Sequence, residues 1–152
     1  MPNFIYLLHS TPEAESGVTP STEMFQAMNG YNTALSDANM LLAGEGFHAS
    51  SKGARITFST EPIHPTPIAG GKVDKVQCGP FDLNGLICGF WIVQAKDMED
   101  AIEWAKKAPL RGATLEVRQL HSNEDFGDQM TDELKAKEEE LRKKAEERAM
   151  KK

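Results

Sequence analysis

An α+β fold is what this 152-residue sequence predicts, on three observations. Apolar or alternating runs of strand length recur along the chain, which fits β-strands. Two longer stretches between them repeat their apolar residues at helical spacing. The order is strand, helix, strands, strand, helix, strand, which is the split βαβ, ferredoxin-like plan of helices on one face of an antiparallel sheet.

Each element follows from its residues. Asn3-Phe4-Ile5-Tyr6-Leu7-Leu8-His9 is a continuous apolar run, the signature of a central strand. Ser10 to Pro20 reads as a loop. Ser21 then caps a helix, with Glu23 in its first turn and Met24, Met28, Tyr31, Leu35 and Ala38 as its apolar stripe. Leu42-Ala43-Gly44-Glu45-Gly46-Phe47 follows, and its two glycines suggest a bulge or turn that aims Glu45. Ala54 to Ser59 alternates as a half-buried strand, and Lys72 to Cys78 is a second short strand. Between them Glu61 to Gly71 is a proline-rich loop.

Leu86 to Ala95 is the most apolar segment and reads as a central strand. Asp97 caps the next helix, whose buried side is Ala101, Ile102, Trp104, Ala105 and Ala108; Pro109 stops it. Ala113 to Leu120 alternates as the last strand. The expected organisation is a domain over 1–120, a polar linker over 121–130 and a charged helical tail over 131–152. The tail holds 8 basic and 7 acidic residues, which leaves the body at −7 within a chain of −6. Its i,i+4 pairs run in the favourable direction, but its apolar seam is too thin for a coiled coil. A solvated helix is expected.

The acidic balance argues against nucleic acid and against an anionic membrane surface as partners. No run approaches the length of a membrane helix, and Met1 to Ser10 lacks the features of a signal peptide. Two cysteines, Cys78 and Cys88, without CxxC spacing point to a reduced, cytoplasmic setting. The central strand places Phe90 and Ile92 on one face and Trp91 and Val93 on the other. Helices cover one face only, so a homodimer packed through the open faces is expected.

The ordered pieces Tyr6-Leu7-Leu8, Leu42 to Phe47, Gly79-Pro80-Phe81, Gly89 to Val93 with Asp97 to Ala105, and Gly112 to Arg118 resemble the YCII-related family, in particular its DGPF branch. The resemblance runs from Met1 to Leu120 and implies a dimeric α/β barrel with a pocket between the sheet and the helices or loops. Related proteins include a dehydrochlorinase acting on a chlorinated hydroxyhydroquinone; others have a proposed His/Asp dyad, and some accompany sigma factors. The sequence departs from the branch at Cys78, where Asp is expected before Gly79, and over Asp82-Leu83-Asn84-Gly85.

Among chemistry-bearing residues, Glu45 is the first candidate. Flanked by glycines beside a pocket, it suits a general acid or base, against the plain reading of an exposed turn Glu. His9 at a strand end suits proton transfer, against a hydrogen-bonded structural His. Asp82 is a third catalytic candidate, against a turn Asp. Phe81, Trp91 and Arg55 are the substrate-binding candidates; Arg55 and Arg111 suit an anion, while Trp91 with Phe90 suits the core of a dimer better than a pocket. His9, Glu45, His48 and His64 have no metal-binding spacing, so neither metal nor cofactor is expected. Cys78 reads as a buried structural thiol. The leading reading is a cofactor-independent enzyme doing acid-base chemistry on an aromatic or enolisable small molecule, with Glu45 moving the proton and His9 assisting. The alternative is a non-catalytic ligand-binding or regulatory dimer using the same pocket, which would need no group titrating near neutrality.

Overall fold

The computed structural model describes residues 1–63 and 70–151. Four strands form one antiparallel sheet: β1 (Asn3–His9), β2 (Leu41–Gly46), β5 (Ile87–Gln94) and β6 (Leu115–Gln119), in the order β2-β5-β1-β6. Two strands between β2 and β5, β3 (Ala54–Phe58) and β4 (Val73–Cys78), pair only with each other. The four-stranded order is that of the ferredoxin-like plan, so β3 and β4 are a ribbon inserted into it.

Helices α2 (Thr22–Asp37) and α3 (Met98–Ala105) start where the sequence signals a cap. Ser21 Oγ accepts from the Met24 N–H at 3.2 Å, and Asp97 Oδ1 accepts from the Asp100 N–H at 2.8 Å. Register puts Phe4 opposite Val93 and Tyr6 opposite Trp91, so these four share one face. That face meets the helices and forms the core with Tyr31, Leu35, Met40, Ala95 and Ala101. Tyr6 donates its hydroxyl to the Ala101 carbonyl at 2.6 Å, and Tyr31 donates to the Trp104 carbonyl at 3.0 Å. Two tyrosines therefore pin α3 to the layer beneath it.

Several local expectations change. The Ser10–Pro20 segment holds a short helix, α1 (Pro12–Glu15), because Thr11 Oγ1 caps it by accepting from the Ala14 N–H. Gly44 and Gly46 lie inside β2 rather than in a turn, and the register slips between Leu41 and Ala43 instead. Gly44 lets β2 pass close over the Trp91 ring, from which an added Cβ would stand 3.0 Å. Ile102 is 38% exposed, since α3 buries little beyond Ala101. Met24 is exposed too, so α2 is anchored by Tyr31 and Leu35. β3 is exposed along its whole length instead of half-buried, because among the described residues β4 is the only strand it pairs with.

After β6, residues Asn123–Gln129 make 3₁₀ turns under a Ser122/Asp125 capping box. Helix α4 (Asp132–Met150) follows, with no buried residue. Glu138–Arg142, Glu139–Lys143 and Glu140–Lys144 pair along it at 3.3, 3.5 and 2.7 Å. Among the described residues no helix is long and apolar enough to cross a membrane.

Candidate functional site

The sheet face turned away from the helices carries Ile5, Leu7 and His9 of β1, since side chains alternate along a strand. Cross-strand register adds Glu45, Phe90 and Glu116, which line up with Leu7 in one row across β2, β5, β1 and β6. His9 leans diagonally along this face onto β6, where its Nε2 meets Glu116 Oε1 at 3.1 Å. The pair is partly shielded, with His9 29% exposed. Arg118 Nη1 stands 3.8 Å from the other Glu116 oxygen.

The hydrogen bond fixes the tautomer of a neutral His9. An ionised carboxylate only accepts, so Nε2 must carry the proton and donate it. Nδ1 is then left with a free lone pair, an arrangement suited to a general base held by its partner. Glu45 sits at the opposite end of the row, three strand spacings or about 14 Å from Glu116. The sheet brings His9 and Glu45 to one face without bringing them together.

The other candidates stand elsewhere. Asp82 Oδ1 accepts from the Asn84 N–H at 3.0 Å and so closes a turn. Arg55 lies over the Phe81 ring, with its guanidinium carbon 4.1 Å from the centroid. Trp91 is on the helix-covered face. Its indole N–H donates to Asn32 Oδ1 at 2.8 Å, and Tyr31 meets its ring edge-on at 5.4 Å. It walls a cavity of about 340 Å³ between α2 and the sheet. His48 is exposed and His64 lies outside the described residues.

A model of the YCII-related domain matches residues 3–122. The chain belongs to the YCII-related family. The match opens at the first residue of β1 and closes three residues after β6, so the ribbon lies within it and α4 beyond it. Curated proteins compared with the chain gave no match.

Within this YCII-related domain the Gly79-Pro80-Phe81 segment is held by a buried clamp that sequence reasoning missed. Ser50 is buried at its centre. Its N–H donates to Glu15 Oε1 at 2.9 Å and its hydroxyl to Glu15 Oε2 at 2.5 Å. The Phe81 N–H donates to Ser50 Oγ at 2.9 Å. These hydrogen bonds hold the Glu15 carboxyl below its usual range. Glu116 was also missed, because an acidic residue on the outer face of an alternating strand carries no signal until its cross-strand neighbour is known. Ser50 had a faint signal only, a serine beside a turn. Burial pushes the Cys88 thiol up, both cysteines are free, and Cys78 is exposed rather than buried because it ends the exposed strand β4. Among the described residues no three His, Cys, Asp or Glu side chains gather as metal ligands would.

Proposed function

We propose that this YCII-related protein is a homodimeric small-molecule enzyme, with His9 as its proton-transfer group and Glu116 as the residue that orients it. The contact between His9 Nε2 and Glu116 Oε1 carries the reading. Nδ1 would take a proton from an aromatic hydroxyl or an enolisable C–H, and the carboxylate would stabilise the imidazolium that forms. Glu45, on the same sheet face, supplies a second carboxylate to the space that a partner would enclose.

The open sheet face supports the reading, because the dyad lies on it and a partner there would enclose the dyad. Ile5, Leu7, Phe90 and Ile92 are only half-buried there. The inserted ribbon separately exposes Ile56, Phe58 and Val76, by 54%, 56% and 62%. A lone two-stranded ribbon is marginal in water, so this one also calls for a cover. Light scattering is expected to give about twice the chain mass of 16.8 kDa. Ile92→Glu is expected to shift the population to monomer. A monodisperse monomer for the unsubstituted chain would exclude the dimer.

The chemistry is tested by following deuterium exchange into a panel of 2-oxo acids and phenols in D₂O. Protein-dependent exchange is expected to drop roughly 10²–10⁴-fold in His9→Gln, with a smaller drop in Glu116→Gln. Exchange that persists in His9→Gln rules out the assignment. A non-catalytic ligand-binding or regulatory dimer is favoured by one observation: Asp82, Arg55, Phe81 and Trp91 do not converge on His9. Compounds that bind without any exchange would support it.

A further inference from the structure

We infer that the root of the inserted ribbon is a binding site for a small aromatic carboxylate. A cavity of about 360 Å³ opens there, within the range of small-ligand sites. Its lining is assembled from four short pieces of chain: Phe47 and His48 after β2, Lys52 and Arg55 at the start of β3, Phe81, and Ile87 at the start of β5. Nothing in the acid-base reading requires this cavity, and its ligand preference holds whether or not His9 moves a proton.

Charge is the first argument. The body of the protein is strongly acidic, yet the lining includes His48, Lys52 and Arg55 and no carboxylate. Lys52 and Arg55 have no ion-pair partner among the described residues. The nearby acids are occupied: Glu15 by Ser50, and Asp82 by the Asn84 N–H. Unpaired cations gathered at a concavity of an acidic protein form a local field that draws anions.

Geometry is the second. Arg55 lies over Phe81 in a cation–π contact. A guanidinium stacked in this way keeps its N–H edge available for a planar, two-point grip on a carboxylate. Phe47, Phe81 and Ile87 supply apolar and aromatic surface for a ring. Inorganic anions would use the cations and leave that surface idle.

Preorganisation is the third. The clamp around Ser50 fixes the walls before any ligand arrives. Besides the Glu15 and Phe81 contacts, the Gly53 N–H donates to the Ser50 carbonyl at 2.9 Å, and the Gly79 N–H donates to the Gly53 carbonyl at 3.0 Å. The segments bearing Lys52, Arg55 and Phe81 are thereby tied to one another, which lowers the ordering cost of binding.

Benzoate is the probe, titrated at millimolar concentrations into the full-length protein and followed by amide shifts. Saturable shifts are expected at Gly53, Arg55 and Phe81. Benzyl alcohol, with the ring but no charge, is expected to bind roughly tenfold more weakly or worse, as is benzoate to a Lys52→Gln/Arg55→Gln variant. Both side chains are exposed, and circular dichroism checks that the variant keeps its fold. No saturable shift at these amides, or equal binding of benzyl alcohol, would overturn the inference. Inorganic phosphate binding as tightly as benzoate would overturn it too, by showing that the aromatic surface takes no part. Because binding is read without turnover, its failure leaves the His9 assignment standing, and the reverse also holds.

Discussion

Gly79→Ala is expected to destabilise the protein by about 3 kcal/mol or more, near the upper end for a single substitution. A Cβ at Gly79 would stand 1.7 Å from the Ser50 carbonyl oxygen and 2.6 Å from its carbon. Both are backbone atoms, so no rotamer change relieves the clash. Nor is Ser50 free to retreat. Its N–H and hydroxyl are held by Glu15, its Oγ also receives the Phe81 N–H, and its carbonyl receives the Gly53 N–H. Moving it breaks several partly buried hydrogen bonds at once, and unmade bonds of this kind cost more than they gain when formed. Gly46→Ala is the control. Nothing lies within 4 Å of the Cβ it would add, so a change of about 0.5 kcal/mol or less is expected. Urea unfolding of the two variants measures the difference. Near-equal midpoints would show that the clamp yields easily and that Gly79 is not needed for close approach.

This expectation changes the meaning of the Gly-Pro-Phe segment. In sequence it stands out as a motif and invites a chemical reading, with Asp82 as the catalytic group. In the structure Gly79 makes room for Ser50, the Phe81 N–H bonds to Ser50, and Asp82 closes the next turn. The segment builds the ribbon root, and whatever binds there meets Phe81 and Arg55 rather than Asp82.

The fold was legible wherever the signal is local. Ser21, Asp97 and the alternating runs are read within a few residues, and the strands and the longer helices lie where their patterns put them, whereas α1 lies in a segment that reads as a loop. The two-faced central strand was legible for the same reason, since alternation alone sends Phe90 and Trp91 to opposite sides. What escaped depends on distance along the chain. His9 and Glu116 are 107 residues apart, and only strand register makes them neighbours. Glu15 and Ser50 are 35 apart and meet through loops. The half-buried reading of β3 failed similarly: its alternation is real, but β3 pairs with β4 in a ribbon separate from the four-stranded sheet. Glu45 drew notice from two glycines, and Gly44 answers to the Trp91 ring beneath it.

Alkali should unfold this protein over a narrow range, and its two tyrosines should be the cause. Tyr6 is fully buried and Tyr31 nearly so, and each hydroxyl faces a carbonyl of α3. Burial raises both above the usual value of 10.0, Tyr31 to about 12 and Tyr6 further, with Tyr31 and Asp100 adding to the shift of Tyr6. The sign follows from where the proton is held more tightly. Below pH 10 both states keep it, and tyrosine makes no difference to stability. Above 10 the unfolded chain releases protons that the folded chain retains, so stability falls with rising pH until the folded phenols ionise in turn. Each tyrosine contributes about 1.4 kcal/mol per pH unit, or roughly 2.7 for the pair. Between pH 10 and 12 that amounts to about 4 kcal/mol, because the slope is full only between the two ionisations, and this is a large part of the stability of many domains. Phenolate absorbance should therefore rise together with loss of circular dichroism. Tyr6→Phe/Tyr31→Phe should be less stable at neutral pH by about 1 kcal/mol per lost hydrogen bond, yet show a flatter alkaline limb. Lysine deprotonation acts on both proteins alike, so the difference isolates the phenols. Phenolates that form near pH 10 while the circular dichroism stays native would refute the argument and show that α3 opens locally without unfolding the sheet.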